Sequence, residues 1–177
     1  PIIEIMFIDF IGVCLDQLMN QAAKMRFMTG GAVEIPIVIR TQYGAGRSAG
    51  AQHSQSLEGL LASIPGLSVV IPSTAADAYG LLRSAIDDPN PVIFIEHRHL
   101  YGRKGPRVNR DHRVPIGKAA VALSGRHVTF VAAGRLVHEG VAAASVLAAE
   151  GIEIEVIDLR TIAPLDVETI AASVAKT

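Results

Sequence analysis

Short, unbroken apolar runs separated by stretches of helical periodicity constrain this chain more than any other feature. Ile2 to Phe7, Ile35 to Arg40, Ser68 to Ile71 and Val92 to Glu96 are runs of strand length. Runs without alternation belong to strands buried on both faces, as in a parallel sheet covered by helices. Between the first two, Ile11, Leu15, Leu18, Ala22 and Met25 recur at spacings of four, three, four and three. That is one helical face, which Gly30-Gly31 ends. A second helix is expected over Ser56 to Ser63, closed by Pro65-Gly66. Thr74 and Asp77 form a capping-box-like pair opening a third helix, and Asp87 to Pro91 is a turn.

A break in composition follows. Arg98, Arg103, Lys104, Arg107, Arg110 and Arg113 lie among Gly102, Gly105 and Pro106. Beyond Pro115 a second α/β pattern begins, with strands expected at Val128 to Ala133 and Glu153 to Ile157. Between them lies an alanine-rich helix from Val137 to Glu150, stopped by Gly151, and Asp166 opens a last helix. The expected fold is therefore α/β, with mostly parallel sheets covered by helices. The expected division is a first domain over 1–102, a linker over 103–115 and a second domain over 116–177. The first is expected to lack its opening strands, and the second to stop short of a complete sheet.

Length and composition bound the function. With 177 residues, half of them hydrophobic, the chain can bury a sizeable core. A net charge of −1 gives no reason to expect a nucleic-acid partner. Only 19% of residues are charged, which leaves apolar surface for subunit contacts. The lone Cys14 excludes an internal disulfide framework and is read as a buried structural thiol. No apolar run reaches membrane-spanning length, and no signal peptide opens the sequence.

The run Gly44 to Glu58 is the strongest candidate for chemistry. Its three glycines allow sharp turns and close approach to a ligand. The loop ends at His53, and Ser54 or Ser56 is expected to cap the helix that follows. An imidazole at such a junction exchanges a proton near neutral pH, although a solvated surface histidine has the same composition around it. The glycines do not form a phosphate cradle. Gly44-x-Gly46-x-x-x-Gly50 misses the dinucleotide spacing and no Walker lysine is present.

Gln52-His53-Ser54-Gln55-Ser56, Pro65-Gly66-Leu67 and Val70-Ile71-Pro72-Ser73 together resemble the β subunit of thiamine-diphosphate-dependent 2-oxo acid dehydrogenases. These are the decarboxylating first components of the pyruvate, branched-chain and acetoin dehydrogenase complexes. Glu4 to Phe10, Asp16-Gln17, Ala22-Ala23-Lys24, Gly30-Gly31, Asp88 to Pro91 and Asp158 to Asp166 fit in order, so the likeness covers nearly the whole chain.

The resemblance implies a pyrimidine-binding domain followed by part of a transketolase C-terminal-like domain, truncated at both ends. It implies that Phe10 stacks on the aminopyrimidine ring of thiamine diphosphate, and that His53 lies at the active-site channel and assists proton or acyl transfer. Gln52 and Gln55 either orient His53 or are ordinary helix-start residues. The diphosphate and its magnesium would lie on an α subunit. Potassium would be held at Ile37, Ala85, Ile86, Asp88 and Asn90, the first three offering only backbone oxygens. The implied assembly is an α2β2 heterotetramer that passes its acyl group to a lipoyl domain. The compartment would be cytoplasmic in a bacterium or the matrix in a mitochondrion. The catalytic glutamate of the family would precede Pro1, and Glu4 does not replace it. Pyruvate is the expected substrate, with acetoin, a branched-chain oxo acid or a non-catalytic scaffold role as alternatives. Tyr43 and Arg47 depart from relatives and bear on that choice.

His97, His99 and His112 lie in the basic segment and are read as linker residues, because no further ligands at metal-site spacing accompany them. His138 is read as structural. No nucleophile elbow is present.

Overall fold

The computed structural model describes residues 1–177. In chain order the elements are β1 (Ile2–Ile5), α1 (Ala23–Met28), β2 (Val38–Tyr43), α2 (Glu58–Ala62), β3 (Ser68–Val70), α3 (Ala75–Asp87) and β4 (Val92–His97). There follow β5 (Ala120–Leu123), β6 (Val128–Ala132), α4 (Arg135–Leu147), β7 (Ile154–Asp158), β8 (Thr161–Ala163) and α5 (Val167–Lys176).

The first sheet has the order β1-β2-β4-β3-β8. Its first four members are parallel, as the unbroken apolar runs predict. Alternate residues face opposite layers. Ile39, Val69, Ile93 and Ile95 pack against Ile8, Ile11, Leu18 and Leu61 on one side. Val38, Val70, Val92 and Phe94 pack against Leu81 and Ala85 of α3 on the other.

The helical stretch after β1 is not one regular helix. It runs as a 3-10 segment over Ile8–Cys14, a π-helix over Gln17–Ala22 and then α1. The buried positions follow this change of pitch. Ile8 and Ile11 are spaced by a 3-10 turn, whereas Leu18 and Ala23 are spaced by a π turn. Ala23 thus takes the buried place expected for Met25, which is 36% exposed. Cys14 packs at the margin of this core and is a free, half-buried thiol.

Strand β2 begins after Pro36, which has no N–H for the ladder, and continues to Tyr43. Thr74 caps α3 as expected, accepting from the Asp77 N–H at 3.0 Å. Gly151 ends the helical stretch after α4 in the left-handed conformation, and Asp166 caps α5.

Two strands are absent from the sequence reading, and both are antiparallel. Strand β5 pairs antiparallel with β7 in a three-stranded sheet of order β5-β7-β6. Strand β8 leaves that region to pair antiparallel with β3 at the edge of the first sheet. The junction is also tied by buried polar groups. Ser73 Oγ donates to Asp158 Oδ1 at 2.9 Å, and Arg160 pairs with Asp77 at 2.8 Å. His138 Nε2 lies 2.7 Å from the Ser73 carbonyl, a link between units rather than an isolated structural contact. Burial, with the nearby Asp77 carboxylate adding to it, pushes the Asp158 carboxyl up to about 6.

The basic segment is fixed at its two ends. His97 closes β4 and packs edge-on to Tyr43, with ring centroids 4.9 Å apart, so it is not a linker residue. At the other end Tyr79 donates to the Arg110 carbonyl at 2.9 Å, Ser84 to that of Val114 at 2.7 Å, and Val114 is buried.

Candidate functional site

Neighbouring parallel strands bring three loops to one edge. In the register Ile5 lies beside Thr41, and Tyr43 beside His97. The segment Phe7–Phe10 therefore follows β1, the glycine loop follows β2 and Arg98 follows β4, all at the carboxyl ends of adjacent strands. Ligands of open α/β sheets bind at such edges.

Three rings gather there. His53 lies 5.4 Å from Phe10 and 4.5 Å from Phe7, edge-on to both, and Phe7 and Phe10 are 6.2 Å apart. Phe10 keeps 40% of its surface exposed, although its neighbours Ile8 and Ile11 are completely buried. A ring left open beside an imidazole suits stacking with a planar heterocycle. The residues present therefore fit the pyrimidine end of a thiamine cofactor.

The loop is held from below. Gly44, Gly46 and Gly50 have positive φ. A Cβ on Gly44 would meet the His97 ring at 2.5 Å, so only glycine lets the chain turn there. Burial pushes the His97 imidazole down to about 4, with His99, Arg135 and Arg98 acting in the same direction. His97 is thus neutral packing beneath the loop. Tyr43, the other support, has its hydroxyl pushed up to about 12 by burial.

The expected serine caps do not form. Ser54 Oγ donates back to the Gly50 carbonyl at 2.8 Å, and Ser56 Oγ donates to Glu58 at 2.6 Å. Leu57 occupies the N-cap of α2 without a side-chain bond. The Gln55 N–H instead donates to Asp9 Oδ1 at 3.1 Å, which ties the end of the loop to the segment bearing Phe10. Asp9 and Arg98 were not singled out by sequence reasoning. Nothing local distinguishes them, because their partners lie on other strands.

Arg98 is 5% exposed. Its Nη2 donates to the Gly44 carbonyl and, at 2.7 Å, to that of His53, while its Cζ lies 5.2 Å from the Phe7 ring centre. Arg47 donates to the Arg98 carbonyl at 3.2 Å. Arg47 and Tyr43 thus both have structural work, Arg47 on Arg98 and Tyr43 on His97.

Of the five residues considered for potassium, Ala85, Ile86, Asp88 and Asn90 lie at the end of α3 and its turn, and Ile37 lies just before β2. Ala85 is completely buried, and its α-helical donor would be the N–H of residue 89, which is proline. Pro91 removes the donor for Asp87 in the same way. The Asn90 N–H turns to Asp88 Oδ1 at 2.8 Å, away from the Ile86 carbonyl. Arg26 donates to Asn90 Oδ1 at 2.8 Å, and the Ile37 carbonyl accepts from Val92 N–H at 3.0 Å. Backbone oxygens, not side chains, are what this turn has to offer a cation, and this fits a hard monovalent ion. No group of three His, Cys, Asp or Glu side chains converges as a metal cluster.

Apolar surface adjoins the aromatic site. Met6 is 66% and Val13 86% exposed, one before and one within the 3-10 segment that bears Phe10, whereas the exposed Phe27 lies near Gly66 and Asn90 at the other end of the strands. No helix is long and apolar enough to cross a membrane.

Comparison with known proteins agrees with this architecture. Residues 1–104 match the transketolase pyrimidine binding domain, and residues 117–177 the transketolase C-terminal domain. The acetoin:2,6-dichlorophenolindophenol oxidoreductase subunit beta of Cupriavidus necator is 52% identical over 177 residues, covering 100% of this chain and 52% of that protein. The pyruvate dehydrogenase E1 component subunit beta of Bacillus subtilis is 44% identical over 178 residues, covering 100% of this chain and 55% of that one. The chain thus spans about half the length of these relatives. A solved split gene transketolase, described as an inactive beta4 tetramer, has the same fold. Its TM-score is 0.81 at 24% identity, covering 100% of this chain and 54% of that one.

Proposed function

Since the chain belongs to the transketolase family, carrying its pyrimidine-binding domain and then its C-terminal domain, we propose that it supplies the β-subunit side of a thiamine-diphosphate site. The enzyme is the first component of a 2-oxo acid dehydrogenase, with pyruvate as substrate. The observation that carries this reading is the open ring of Phe10 beside His53 at the carboxyl edge of the sheet.

Bound there, thiamine diphosphate supplies the electron sink for decarboxylation. Phe10 provides the stacking face for its pyrimidine ring. His53 holds or delivers a proton at its imidazole nitrogens as the acyl group passes to a lipoyl acceptor. Phe7 and the Gly44–His53 loop exclude water from one side. The diphosphate and magnesium belong to an α subunit seated on the apolar surface around Met6 and Val13, in an α2β2 assembly. Potassium sits on the backbone oxygens of Ile37, Ala85, Ile86, Asp88 and Asn90. We take 1–102 and 116–177 as the two domains and 103–115 as the linker between them. The compartment is the cytoplasm in a bacterium and the matrix in a mitochondrion.

A second reading is acetoin cleavage on the same cofactor. It is favoured by the higher identity to the acetoin relative, 52% against 44% for the pyruvate one. Turnover assays decide between them. The chain alone should be inactive. Mixed with an α subunit of this enzyme class, it should reduce an artificial acceptor with pyruvate or with acetoin. Activity of the unpartnered chain contradicts the shared site, and inactivity of the mixture with both substrates favours a scaffold role.

A further inference from the structure

We infer that Arg98 is a positioning residue that sets His53 and its loop against the aromatic cluster; this rests on the reading of Phe10 and His53 as a cofactor crevice. Arg98 is a buried cation whose hydrogen bonds go to carbonyls, not to a carboxylate. It donates to the backbone oxygens of Gly44 and His53, the two ends of the loop, and its Nε is buried without a partner. A buried guanidinium is costly unless dipoles surround it. Here carbonyls and the face of Phe7 do so.

Both bonds leave the one nitrogen Nη2, while the guanidinium carbon lies 5.2 Å from the Phe7 ring centre, so one planar group holds the loop ends and an aromatic ring together. Arg98 opens a single 3-10 turn directly after β4, so its anchor is the sheet itself. The tether is reciprocal, because Arg47 in the loop bonds the Arg98 carbonyl. The His53 imidazole forms no hydrogen bond of its own within the chain. Its place is set by its backbone and by the ring of Phe7. Arg98 bears on both.

The test has two arms. The first is tryptic cleavage after Arg47 in the chain itself, which needs no cofactor. Arg98→Met should speed it about tenfold or more, since both charge-assisted bonds are lost. The second uses the complex with the α subunit. Arg98→Met should lower the acyl-transfer kcat about tenfold while the thiamine diphosphate Kd stays within about threefold. Arg98→Lys, which keeps a charge and donors but loses the planar group beside Phe7, should fall between wild type and Arg98→Met in both arms. If Arg98→Met does not fold, Arg98→Lys carries the test alone.

Unchanged cleavage and kcat in a complex that binds thiamine diphosphate overturn the inference. So does Arg98→Lys equal to wild type, or a fall in kcat matched by an equal fall in cofactor affinity. A wild-type complex that binds no thiamine diphosphate overturns the cofactor reading instead, and the cleavage arm still reports whether Arg98 clamps the loop.

Discussion

The rings of Phe10 and His53 lie 5.4 Å apart at an interplanar angle of 87°, although one follows β1 and the other ends the loop after β2. Adjacent parallel strands put them together, and the Gln55 N–H to Asp9 bond keeps them so. An open aromatic face and an imidazole thus share one edge of the sheet.

The division of labour between the two rings predicts unequal losses. His53→Ala in the complete enzyme should lower acyl transfer by about 10²-fold or more, the usual share of a positioned acid–base group. Thiamine diphosphate affinity should change far less. Stopped-flow acyl transfer beside a cofactor titration measures both, and equal losses would count against the role given to His53.

Two groups, the buried Asp158 and the half-buried His97, oppose each other in the pH dependence of stability. Asp158 is raised from 3.8 to about 6 by burial. The folded state therefore binds its proton more tightly, and that contribution is full below 3.8 and lost as pH rises through 6. His97 is lowered from 6.5 to about 4, so its contribution is present above 6.5 and lost as pH falls through 4. Asp158→Asn keeps an oxygen for Ser73 and Arg160 and removes the first titration. Relative to wild type it should gain on the order of 2–3 kcal/mol between pH 4 and 7. Urea unfolding at a series of pH values checks this. A difference independent of pH would show that Asp158 does not titrate in that window.

Gly66 marks a close approach between the turn after α2 and the first helical stretch. Its φ is +101° and an added Cβ would lie 2.0 Å from the Ala23 carbonyl oxygen. Gly66→Ala should cost about 3 kcal/mol or more, through strain and forced separation. Gly102, with open space around it, should tolerate alanine at little cost. Thermal melts of both variants test the contrast.

How far these features could be read in advance depended on whether their causes were local. The inner parallel strands were legible because burial leaves unbroken apolar runs such as Val92–Ile95, and β1 carries the same kind of run although it is an edge strand with Ile2 and Ile3 exposed. The caps Thr74 and Asp166 were legible because their partners lie three residues on. Strand β8 was not, because Thr161–Ala163 is short and its partner β3 belongs to another part of the chain. Ser54 and Ser56 fail as caps for a different reason, since each hydroxyl is taken by a near neighbour, Gly50 and Glu58, a choice among local partners that composition leaves open. Phe10 and His53 were singled out by their motifs; Arg98 looked like one more charge in a basic stretch until its carbonyl partners were in view.

The proline-flanked turn after α3 predicts a choice between monovalent cations. Replacing sodium by potassium at equal ionic strength should raise Tm by a few degrees, the size expected for a ligand at about ten to a hundred times its Kd. Calorimetric scans in matched chloride salts test it, and identical melting in both salts would remove potassium from this site.

The central claim is that Phe10 forms part of a thiamine crevice completed by a second subunit. Titration calorimetry of thiamine diphosphate with magnesium is its most direct test, using this chain alone, the chain with its α subunit, and the Phe10→Ala mixture. The account predicts no binding to the chain alone, saturable binding to the mixture, and an affinity at least about fivefold weaker for Phe10→Ala, the scale of one lost aromatic contact. Binding by the mixture that is indifferent to Phe10→Ala, or full binding by the chain alone, would contradict it.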